Sequence, residues 1–380
     1  MIAIHGAYYS NNFGDLLLIK LFESWIRSRV DCEIACPLVP ERQRERFGRE
    51  FPGVRLGLEG ARRWKALVYV GGGYLGEPEK VRGRRLGGKW NRRFLSRHVL
   101  PAAVCIWNGT PYAVLGVEAG PLSNVLVRSA ARQILGHAQE VSGRNEESGR
   151  FARELLGEGA NVHVAPDAAL SIDRGDIPAE AMETVERMLG PNHGRCLLGI
   201  HAPSHLLSED PKTALLMDTI VSQLSLARDV TPVVFSDLGD AATDAACGRL
   251  SARVTASIGR ECLSIPFAGI WETCALISRL SAIVTTKLHV GIVAYALGVY
   301  SESFAVHQKT PRFYRQINGS SRCEMLKDLD VTTASEKAAR VVLAARYPFP
   351  IEDEFWRSIK KRSHLHRDLL SSFLRSALSA

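Results

Sequence analysis

Short hydrophobic runs alternate with longer amphipathic stretches along most of this chain. The runs predict buried strands near 2–5, 33–36, 66–70, 112–117, 161–165, 196–201, 232–236, 262–266, 282–285 and 299–304. Between them, apolar residues recur at helical spacing, as in 16–29, 122–135, 178–189 and 288–297. Alternation of strand and helix is typical of α/β proteins with parallel sheets and right-handed crossovers.

The length predicts more than one domain, because 380 residues is long for a single hydrophobic core. The alternation pauses over 171–177 and resumes with a helix, so the boundary between the domains falls within 171–194. We therefore predict one Rossmann-like domain at 1–175 and a second at 176–345. The remaining segment, 346–380, reads as a long helix from Ile351, and by analogy with two-domain enzymes of this build it crosses back to the first domain.

Composition excludes several classes of protein. The chain is 46% hydrophobic and 23% charged, which is ordinary for a globular protein, and no apolar run approaches the roughly 20 residues needed to span a bilayer. Its first residues, 1–5, read as a strand and not as a signal peptide. The eight cysteines form no Cys-x-x-Cys pair, so neither a metal site nor a disulfide framework is indicated. We expect a cytoplasmic protein without a metal.

Positive charge is concentrated in one segment of a chain whose net charge is +8. Residues 80–97 contain Lys80, Arg82, Arg84, Arg85, Lys89, Arg92, Arg93 and Arg97 and no acid. Such a run is either a solvated surface or a site for an anionic partner, such as a glycan or the anionic inner face of a membrane. Nucleic acid is disfavoured, because only Trp90 and Phe94 are aromatic here and no nucleic-acid module is matched.

The junction at 285–289 is the strongest candidate for chemistry. A buried strand ends at Thr285, and a helix of small and apolar residues begins near Leu288 and ends at Gly298. Ligands of open α/β sheets bind outside the carboxyl ends of strands, where helix N-termini favour anions. Lys287 and His289 would then face an anion, although a solvated lysine and a locally packed histidine are the simpler alternative.

Other candidates lie at comparable junctions. Arg144 follows a strand and suits a carboxylate or phosphate, or else a surface ion pair. His201 and His205 follow the first strand of the second half, and after the next strand Asp237 is a possible ligand contact whereas Asp240 suits a helix cap. Asp15 also suits a cap. Gly71, Gly72 and Gly73 belong to a G-x-G-x-x-G pattern that lacks the acid expected about 20 residues on, so a dinucleotide site is rejected and only a close backbone approach is predicted.

Taken together, these elements resemble the polysaccharide pyruvyl transferase family. The matching pieces are Asn11, Asn12 and Asp15 in Asn-Asn-Phe-Gly-Asp, the glycines 71–73, Arg144 with Ser148, Pro166-Asp167, Lys287-Leu288-His289 with Gly298, and His307-Gln308-Lys309. The resemblance covers residues 1 to about 315. Two positions depart from the family pattern: Lys287 replaces the usual arginine, and Asn145 replaces the usual aspartate.

The resemblance implies a GT-B-like pair of Rossmann-like domains whose parallel sheets face each other across a cleft. It also implies transfer of a pyruvyl group from phosphoenolpyruvate, the donor, onto two hydroxyls of a saccharide or lipid-linked oligosaccharide. The donor would bind through Lys287, Leu288, Lys309 and His201 of the second domain and Arg144 of the first, with His289 as general acid and Asp15 or Asp167 as base. The acceptor would lie near Asn11, Asn12 and Gly71–Gly73 of the first domain and His205 of the second. No further cofactor is implied, and a homo-oligomer is possible.

Two other functions remain open at this point. A nucleotide-sugar glycosyltransferase of the same architecture would use an acid in the second domain to hold a ribose, and Glu302 is the candidate. A non-catalytic protein that keeps the fold would bind anionic glycans through the basic run. The basic run and the basic stretch of the last helix would alternatively contact a membrane.

Overall fold

The computed structural model describes residues 1–9, 12–78, 87–192, 194–201, 210–348 and 351–379. Contacts within the chain divide it into two units, one formed by residues 1–168 with 361–380 and the other by 169–360. Each unit is built around one parallel sheet. No helix of the described residues is long and apolar enough to cross a membrane.

The first unit contains a seven-stranded sheet. Its strands are β1 (Ile2–His5), β2 (Ile34–Cys36), β3 (Arg55–Leu56), β4 (Ala66–Leu75), β5 (Tyr112–Ala119), β6 (Glu140–Gly143) and β7 (His163–Val164), in the spatial order β3-β2-β1-β4-β5-β6-β7. Its first six helices are α1 (Phe13–Arg27), α2 (Glu41–Glu50), α3 (Gly87–Phe94), α4 (Leu100–Asn108), α5 (Val125–Gly136) and α6 (Glu146–Leu156). A π-helical turn, Leu95–Val99, joins α3 to α4.

The second unit contains a six-stranded sheet. Its strands are β8 (Cys196–His201), β9 (Val230–Phe235), β10 (Leu263–Ile265), β11 (Ala282–Thr285), β12 (Tyr300–Ala305) and β13 (Cys323–Met325), in the order β10-β9-β8-β11-β12-β13. Its helices are α7 (Ala179–Leu189), α8 (Pro211–Leu226), α9 (Ala241–Ile258), α10 (Ile270–Arg279), α11 (Leu288–Ala296), α12 (Lys309–Gln316), α13 (Val331–Arg346) and α14 (Glu354–Ser363). A final helix, α15 (Leu365–Ser379), belongs to the first unit.

Both sheets are covered on their two faces, which explains their strand sequences. The residues of β5 and β11 are all buried, as is typical of strands in a parallel sheet between helices. In the first unit Leu67 and Val114 share a core with helix residues such as Ile134. In the second unit Val234 and Val284 share a core with residues of α8 and α13.

Each sheet reverses its strand order at one place. The reversal lies between β1 and β4 in the first unit and between β8 and β11 in the second, because the chain moves outward in one direction and then returns to the other side. In doubly wound sheets, ligands bind outside the carboxyl ends of the strands at this reversal. The expected α/β class with two parallel, Rossmann-like sheets is therefore confirmed, and each sheet has one such edge.

Three predicted elements differ from the structure. β4 does not end at Val70 but continues to Leu75, with a shift in its pairing to β5 after Gly72. The final long helix is divided at His364 into α14 and α15. In the basic stretch of the last helix, proposed for membrane contact, Lys360 is buried, and its ammonium donates to the carbonyls of Ile172 (2.8 Å) and Ala296 (2.9 Å) and pairs with Asp173.

Candidate functional site

The β11–α11 junction places Lys287 and His289 at the carboxyl edge of the second sheet. β11 is a buried Ala-Ile-Val-Thr strand, and its Thr285 hydroxyl accepts a hydrogen bond from the backbone N–H of Lys287 at 3.0 Å. Lys287 has extended backbone geometry and precedes the first helical residue, Leu288. His289 therefore lies in the first turn, where it is buried, and the Lys287 side chain is 26% exposed. This junction matches the predicted strand-to-helix transition.

A buried aspartate connects the ends of three neighbouring strands at this edge. Asp237, just after β9, has Oδ1 at 3.2 Å from Nε2 of His201, the last residue of β8. Its other oxygen, Oδ2, is 3.6 Å from Nζ of Lys287. On the far side of the imidazole, Nδ1 of His201 is 3.2 Å from the hydroxyl of Thr285. One carboxylate therefore orients both a histidine and the lysine of the candidate anion site.

The electrostatics of this group keep Asp237 ionised. Burial would raise the pKa of its carboxyl, but the charge and hydrogen bond of His201 and the charge of Lys287 outweigh burial and lower that pKa to about 2. Asp240 is the helix cap that was predicted. Its carboxylate accepts a hydrogen bond from the N–H of Thr243 at 2.9 Å at the start of α9. Of the two candidate aspartates, only Asp237 joins the site.

The next strand, β12, brings a second cation to the same edge and removes one alternative. Lys309 is exposed and is the first residue of α12, which follows β12. Glu302 lies within β12 and is fully buried. Its carboxylate is 3.2 Å from Nζ of Lys337 and 3.3 Å from Nε of Arg340. The expectation that Glu302 faces a ribose is therefore wrong, since its carboxylate oxygens pair with Lys337 and Arg340 within the second unit.

In the first unit, Asn12 and Asp15 lie at the N-terminus of α1, next to the strand reversal. Asn12 is the cap, because its side-chain oxygen accepts from the N–H of Gly14 at 3.3 Å. The cap role expected for Asp15 is therefore wrong. Asp15 is in the first helical turn, partly exposed, and its Oδ2 accepts from the Asn12 amide at 3.2 Å. Its charge also favours the charged form of Arg144.

Arg144 is the centre of a buried ion-pair group. Its side chain is 6% exposed, and Nη1 is 3.1 Å from Oδ2 of Asp167. Nη2 pairs with Glu118 at the end of β5. Burial would lower the pKa of the guanidinium, but Glu118 and Asp167 outweigh burial and raise it. The structure thus brings together Arg144 and Asp167, which were predicted, with Glu118, which was not.

Asn145 and Ser148, which follow Arg144 in the family motif, hold the backbone around it in place. Asn145 caps α6, since its side-chain oxygen accepts from the N–H of Ser148 at 2.8 Å. The Ser148 hydroxyl accepts from the N–H of Ala119 and donates to its carbonyl, both at 3.1 Å. Asparagine and aspartate are comparable helix caps, so Asn145 performs the local function that an aspartate would have there.

The glycines of β4 allow a close approach to α1. Gly71 has φ +21°, and a Cβ there would lie 2.5 Å from Cδ1 of Leu18. Gly72 has φ +94°, a conformation that L side chains rarely adopt. The predicted close approach is therefore to another segment of the chain, α1. Gly73 continues the strand and is partly exposed.

Two of the predicted acceptor residues and half of the basic run lie outside the described residues. These are Asn11, His205, Lys80, Arg82, Arg84 and Arg85. Among the residues that are described, no three His, Cys, Asp or Glu side chains are grouped in a way that could hold a metal ion.

Sequence reasoning missed a histidine pair at the end of β1. His5 Nε2 lies 2.9 Å from Nδ1 of His98, and His5 Nδ1 lies 3.0 Å from the Tyr8 hydroxyl. The same hydroxyl accepts from the N–H of Leu38 at 3.1 Å. Burial, and then His98, lowers the pKa of His5, while burial and then Arg97 lower the pKa of His98 to about 3. The only signal was that His5 ends a strand, as His201 does.

His366 of α15 was also missed. Its Nε2 donates to the carbonyl of Pro166 at 2.9 Å, and its Nδ1 is 3.0 Å from the hydroxyl of Ser142. Burial lowers the pKa of this imidazole, although the Pro166 carbonyl and the Asp167 charge oppose the shift. The last helix of the chain therefore supports the loop that carries Asp167.

Two doubly wound parallel sheets, each with polar and charged side chains at the edge where its strand order reverses, define a GT-B-like protein of two Rossmann-like units. The family model for polysaccharide pyruvyl transferase matches residues 12–307. The chain belongs to the polysaccharide pyruvyl transferase family, so it belongs to a family of transferases. The search of curated proteins gave no significant match.

Solved structures agree with this fold. The UDP-GlcNAc 2-epimerase of Methanocaldococcus jannaschii matches with a TM-score of 0.63 at 11% identity, covering 97% of this chain and 98% of the epimerase. The Neisseria meningitidis UDP-GlcNAc 2-epimerase, bound to UDP-GlcNAc, has a TM-score of 0.58 at 10% identity, and the match covers 99% of this chain and 98% of the epimerase. HepE of Anabaena, in complex with UDP-glucose, has a TM-score of 0.50 at 10% identity, and the match covers 100% of this chain and 99% of HepE. At these identities the likeness shows the fold alone.

Proposed function

We propose that this protein transfers a pyruvyl group from phosphoenolpyruvate onto two hydroxyls of a sugar, forming a cyclic ketal and releasing phosphate. The acceptor would be a cell-surface polysaccharide or its lipid-linked precursor. Membership in the family supports the class of reaction. The observation that carries the proposal is the lysine at the N-terminus of α11, oriented by a buried aspartate that also binds His201.

That arrangement suits the donor, which carries a carboxylate and a phosphate on adjacent positions. The Lys287 ammonium provides a localised positive charge, and the first turn of α11 provides backbone N–H groups and the positive end of the helix dipole. Asp237 fixes the direction of the lysine, so less conformational entropy is lost when the anion binds. His201 contacts Asp237 and acts as a positioning residue. Lys309, at the start of α12, is proposed as a second cation for the donor.

The proposed reaction begins with protonation of the donor methylene carbon by His289 as imidazolium. The electron pair of the double bond forms the new C–H bond, and C2 becomes an oxocarbenium-like centre. A sugar hydroxyl attacks C2 and loses its proton to a base. Phosphate then leaves with its bonding pair, and the second hydroxyl closes the ketal. Of the two hydroxyl protons, one replaces the proton lost by His289 and the other leaves with phosphate.

The first unit is proposed to bind the acceptor. Asp15 is the better candidate for the base, because it is partly exposed, whereas Asp167 is buried and paired with Arg144. Arg144 is also engaged by Glu118, so a role in donor binding would require one of these pairs to open. We therefore propose that Arg144 holds Glu118 and Asp167 in place. Asn12 and Gly72 would shape the neighbouring edge of the first sheet.

The test is incubation with phosphoenolpyruvate and candidate glycans while inorganic phosphate and product mass are followed. Phosphate release that depends on the acceptor, together with a gain of one pyruvyl group and loss of water, is expected. His289→Gln should lower turnover by about 100-fold or more, the range for loss of a general acid. His137→Gln, an exposed histidine of the first unit, is the control and should leave the rate unchanged. Near-normal turnover by His289→Gln would contradict the general-acid role.

Variants of Lys287 test its role in binding the donor. Lys287→Arg keeps the charge and restores the planar fork, so the KM for phosphoenolpyruvate should stay equal or fall. Lys287→Met should raise that KM strongly and should also lower thermal stability, because the buried carboxylate of Asp237 loses the ammonium 3.6 Å away. Lys327→Met, at an exposed lysine, is the matched control. A large rise in KM for Lys287→Arg would show that the lysine has another task.

Two alternatives are outcomes of the same experiments. A nucleotide-sugar glycosyltransferase would be thermally stabilised by nucleotide sugars and not by phosphoenolpyruvate. A non-catalytic glycan-binding protein would release no phosphate with any donor and would bind anionic glycans in a salt-sensitive manner. The buried position of Glu302 counts against the first of these.

A further inference from the structure

A helical segment of the first unit has two very different sides. The segment consists of α3, the π-helical turn and α4, and we call it the 87–108 helix. On its inner side Phe94, His98 and Cys105 are buried, and His98 bonds to His5 at the end of β1. The outer side packs against no described element, since its side chains are exposed.

The outer side changes from cationic to apolar along its length. Lys89, Arg92 and Arg93 are exposed in its first turns. Leu100 is 39% exposed, Ile106 42% and Trp107 90%. Lys89 and Arg93 of α3 are four residues apart, and Leu100 and Trp107 of α4 are seven apart, so each pair lies on one stripe of its helix. Exposed charge and exposed apolar surface therefore follow one another along one helical segment.

Apolar surface continues from this face into a groove. Val99, Ala102, Ile106 and Trp107 line it on one side, and Ile134 of α5 lies on the other. Its volume is about 320 Å³. An exposed tryptophan beside an apolar groove is unusual on a protein surface that meets only water. The combination requires a partner that is anionic and apolar at once.

We propose that the outer side of the 87–108 helix binds the surface of an anionic lipid bilayer. The cations Lys89, Arg92 and Arg93 would contact lipid phosphates, while Leu100, Ile106 and Trp107 would enter the interfacial region, where tryptophan is favoured. The chain has no acid from residue 80 to 117 to oppose the attraction. Binding would be peripheral.

Two other partners fit this surface less well. A second copy of the chain meeting the same face about a two-fold axis would bring like charges together, because the face carries three cations and no acid. A nucleic acid would use the cations but would leave Leu100 and Ile106 without apolar contact. A bilayer satisfies both halves of the surface.

The proposal goes beyond pyruvyl transfer and does not depend on it. It does, however, relate the surface to the edge of the first sheet. The same helix that presents Trp107 outward presents His98 inward, beside His5 and Tyr74. A bilayer under the outer side would therefore lie one helix diameter from the strand reversal, within reach of a head group carried by a lipid.

The test uses the full-length protein with two kinds of vesicle, phosphatidylcholine alone and an equimolar mixture of phosphatidylcholine and phosphatidylglycerol. Binding measured by flotation should occur with the mixture, weaken as salt is raised, and be absent or much weaker with phosphatidylcholine alone. Arg92→Glu with Arg93→Glu should weaken binding on the order of tenfold or more. Arg132→Glu with Arg150→Glu, at exposed arginines elsewhere in the first unit, is the charge-matched control and should bind better than the first pair.

A second set of variants tests the apolar half. Trp107→Ser should weaken binding, whereas Leu226→Ser, at an exposed leucine of the second unit, should not. Lipids brominated near the head group should quench tryptophan fluorescence in the wild type and much less in Trp107→Phe, which retains an apolar side chain. Equal binding to both vesicles, absence of binding, or unchanged quenching in Trp107→Phe would overturn the proposal. So would a lipid-independent dimer, measured by sedimentation, that Trp107→Ser dissociates.

Discussion

Oδ2 of Asp237 lies 3.6 Å from Nζ of Lys287, and the aspartate is only 1% exposed. An ionised carboxylate is stable at such a position because the Lys287 ammonium lies beside one oxygen and Nε2 of His201 lies 3.2 Å from the other. The pair joins the loop after β9 to the start of α11. The lysine therefore has a fixed direction before any anion arrives, which is the condition for tight and selective binding.

Asp237→Asn should lower both stability and donor affinity. The replacement removes the charge that holds His201 and Lys287, and breaking a buried ion pair costs about 3–5 kcal/mol in the free energy of unfolding. Urea denaturation and the KM for phosphoenolpyruvate are the measurements. Asp218→Asn is the matched control, because Asp218 pairs with Arg253 at 2.7 Å but both side chains are exposed. Asp218→Asn should lower the free energy of unfolding by less than about 1 kcal/mol. Equal losses of stability in the two variants would contradict the assignment of Asp237 as a buried partner of Lys287.

The ion pairs of Arg144 predict a different pattern of effects. Arg144→Met leaves the carboxylates of Glu118 and Asp167 buried without a cation, so it should lower the free energy of unfolding by about 3–5 kcal/mol. Arg144→Lys keeps the charge, but one ammonium cannot reproduce the two directed bonds of a guanidinium. We expect an intermediate loss, measured by urea denaturation.

The same variants test the direct role in donor binding that the family resemblance implied for Arg144. A lysine variant that unfolds like the wild type but has a much higher KM for phosphoenolpyruvate would show that the arginine binds the donor directly. Arg150→Met, at an exposed position of α6, is the control and should change neither quantity appreciably.

The strands that frame both edges could be predicted because their sequences are short and continuously apolar. Ile2–His5 and Ala282–Thr285 have no other stable location than a sheet interior. The position of a junction residue such as Lys287 could be predicted from the end of the strand that precedes it. β3, Arg55–Leu56, could not be predicted, because it contains two residues and no apolar pattern.

The contacts between distant segments could not be predicted either. Asp237 becomes a partner of Lys287 only because β9 and β11 both flank β8, and strand order is not encoded locally. His5 and His98 are 93 positions apart and meet through the π-helical turn. The glycines of β4 were recognised as a close approach, but the segment approached, α1, depends on packing that no local pattern contains.

Gly71→Ala should destabilise the first unit. A Cβ at this position would lie 2.5 Å from Cδ1 of Leu18, so the strand and α1 would have to move apart, at a cost of about 1–3 kcal/mol. Gly48→Ala is the control, because a Cβ there meets nothing within 4 Å and alanine is favoured inside a helix such as α2. Thermal unfolding should show a lower midpoint for the first variant and an equal or higher midpoint for the second. A neutral Gly71→Ala would show that the approach is looser than described.

The histidine pair predicts a dependence of stability on pH. Burial keeps His5 and His98 neutral in the folded protein, whereas in the unfolded chain both would titrate near 6.5. Below that pH the unfolded state binds more protons, so stability falls as the pH decreases from about 6.5 toward the folded pKa of His98, about 3. Each such histidine contributes roughly 2 kcal/mol of this loss between pH 7 and pH 5.

Replacing one member of the pair should reduce that dependence. His98→Asn keeps a side chain that can donate to or accept from Nε2 of His5 but does not titrate, so the difference in urea midpoint between pH 7 and pH 5 should shrink relative to the wild type. His137→Gln removes an exposed histidine and should leave the difference unchanged. Midpoints for His98→Asn that fall with pH as steeply as those of the wild type would mean that His98 does not stay neutral in the folded protein, and would contradict the prediction.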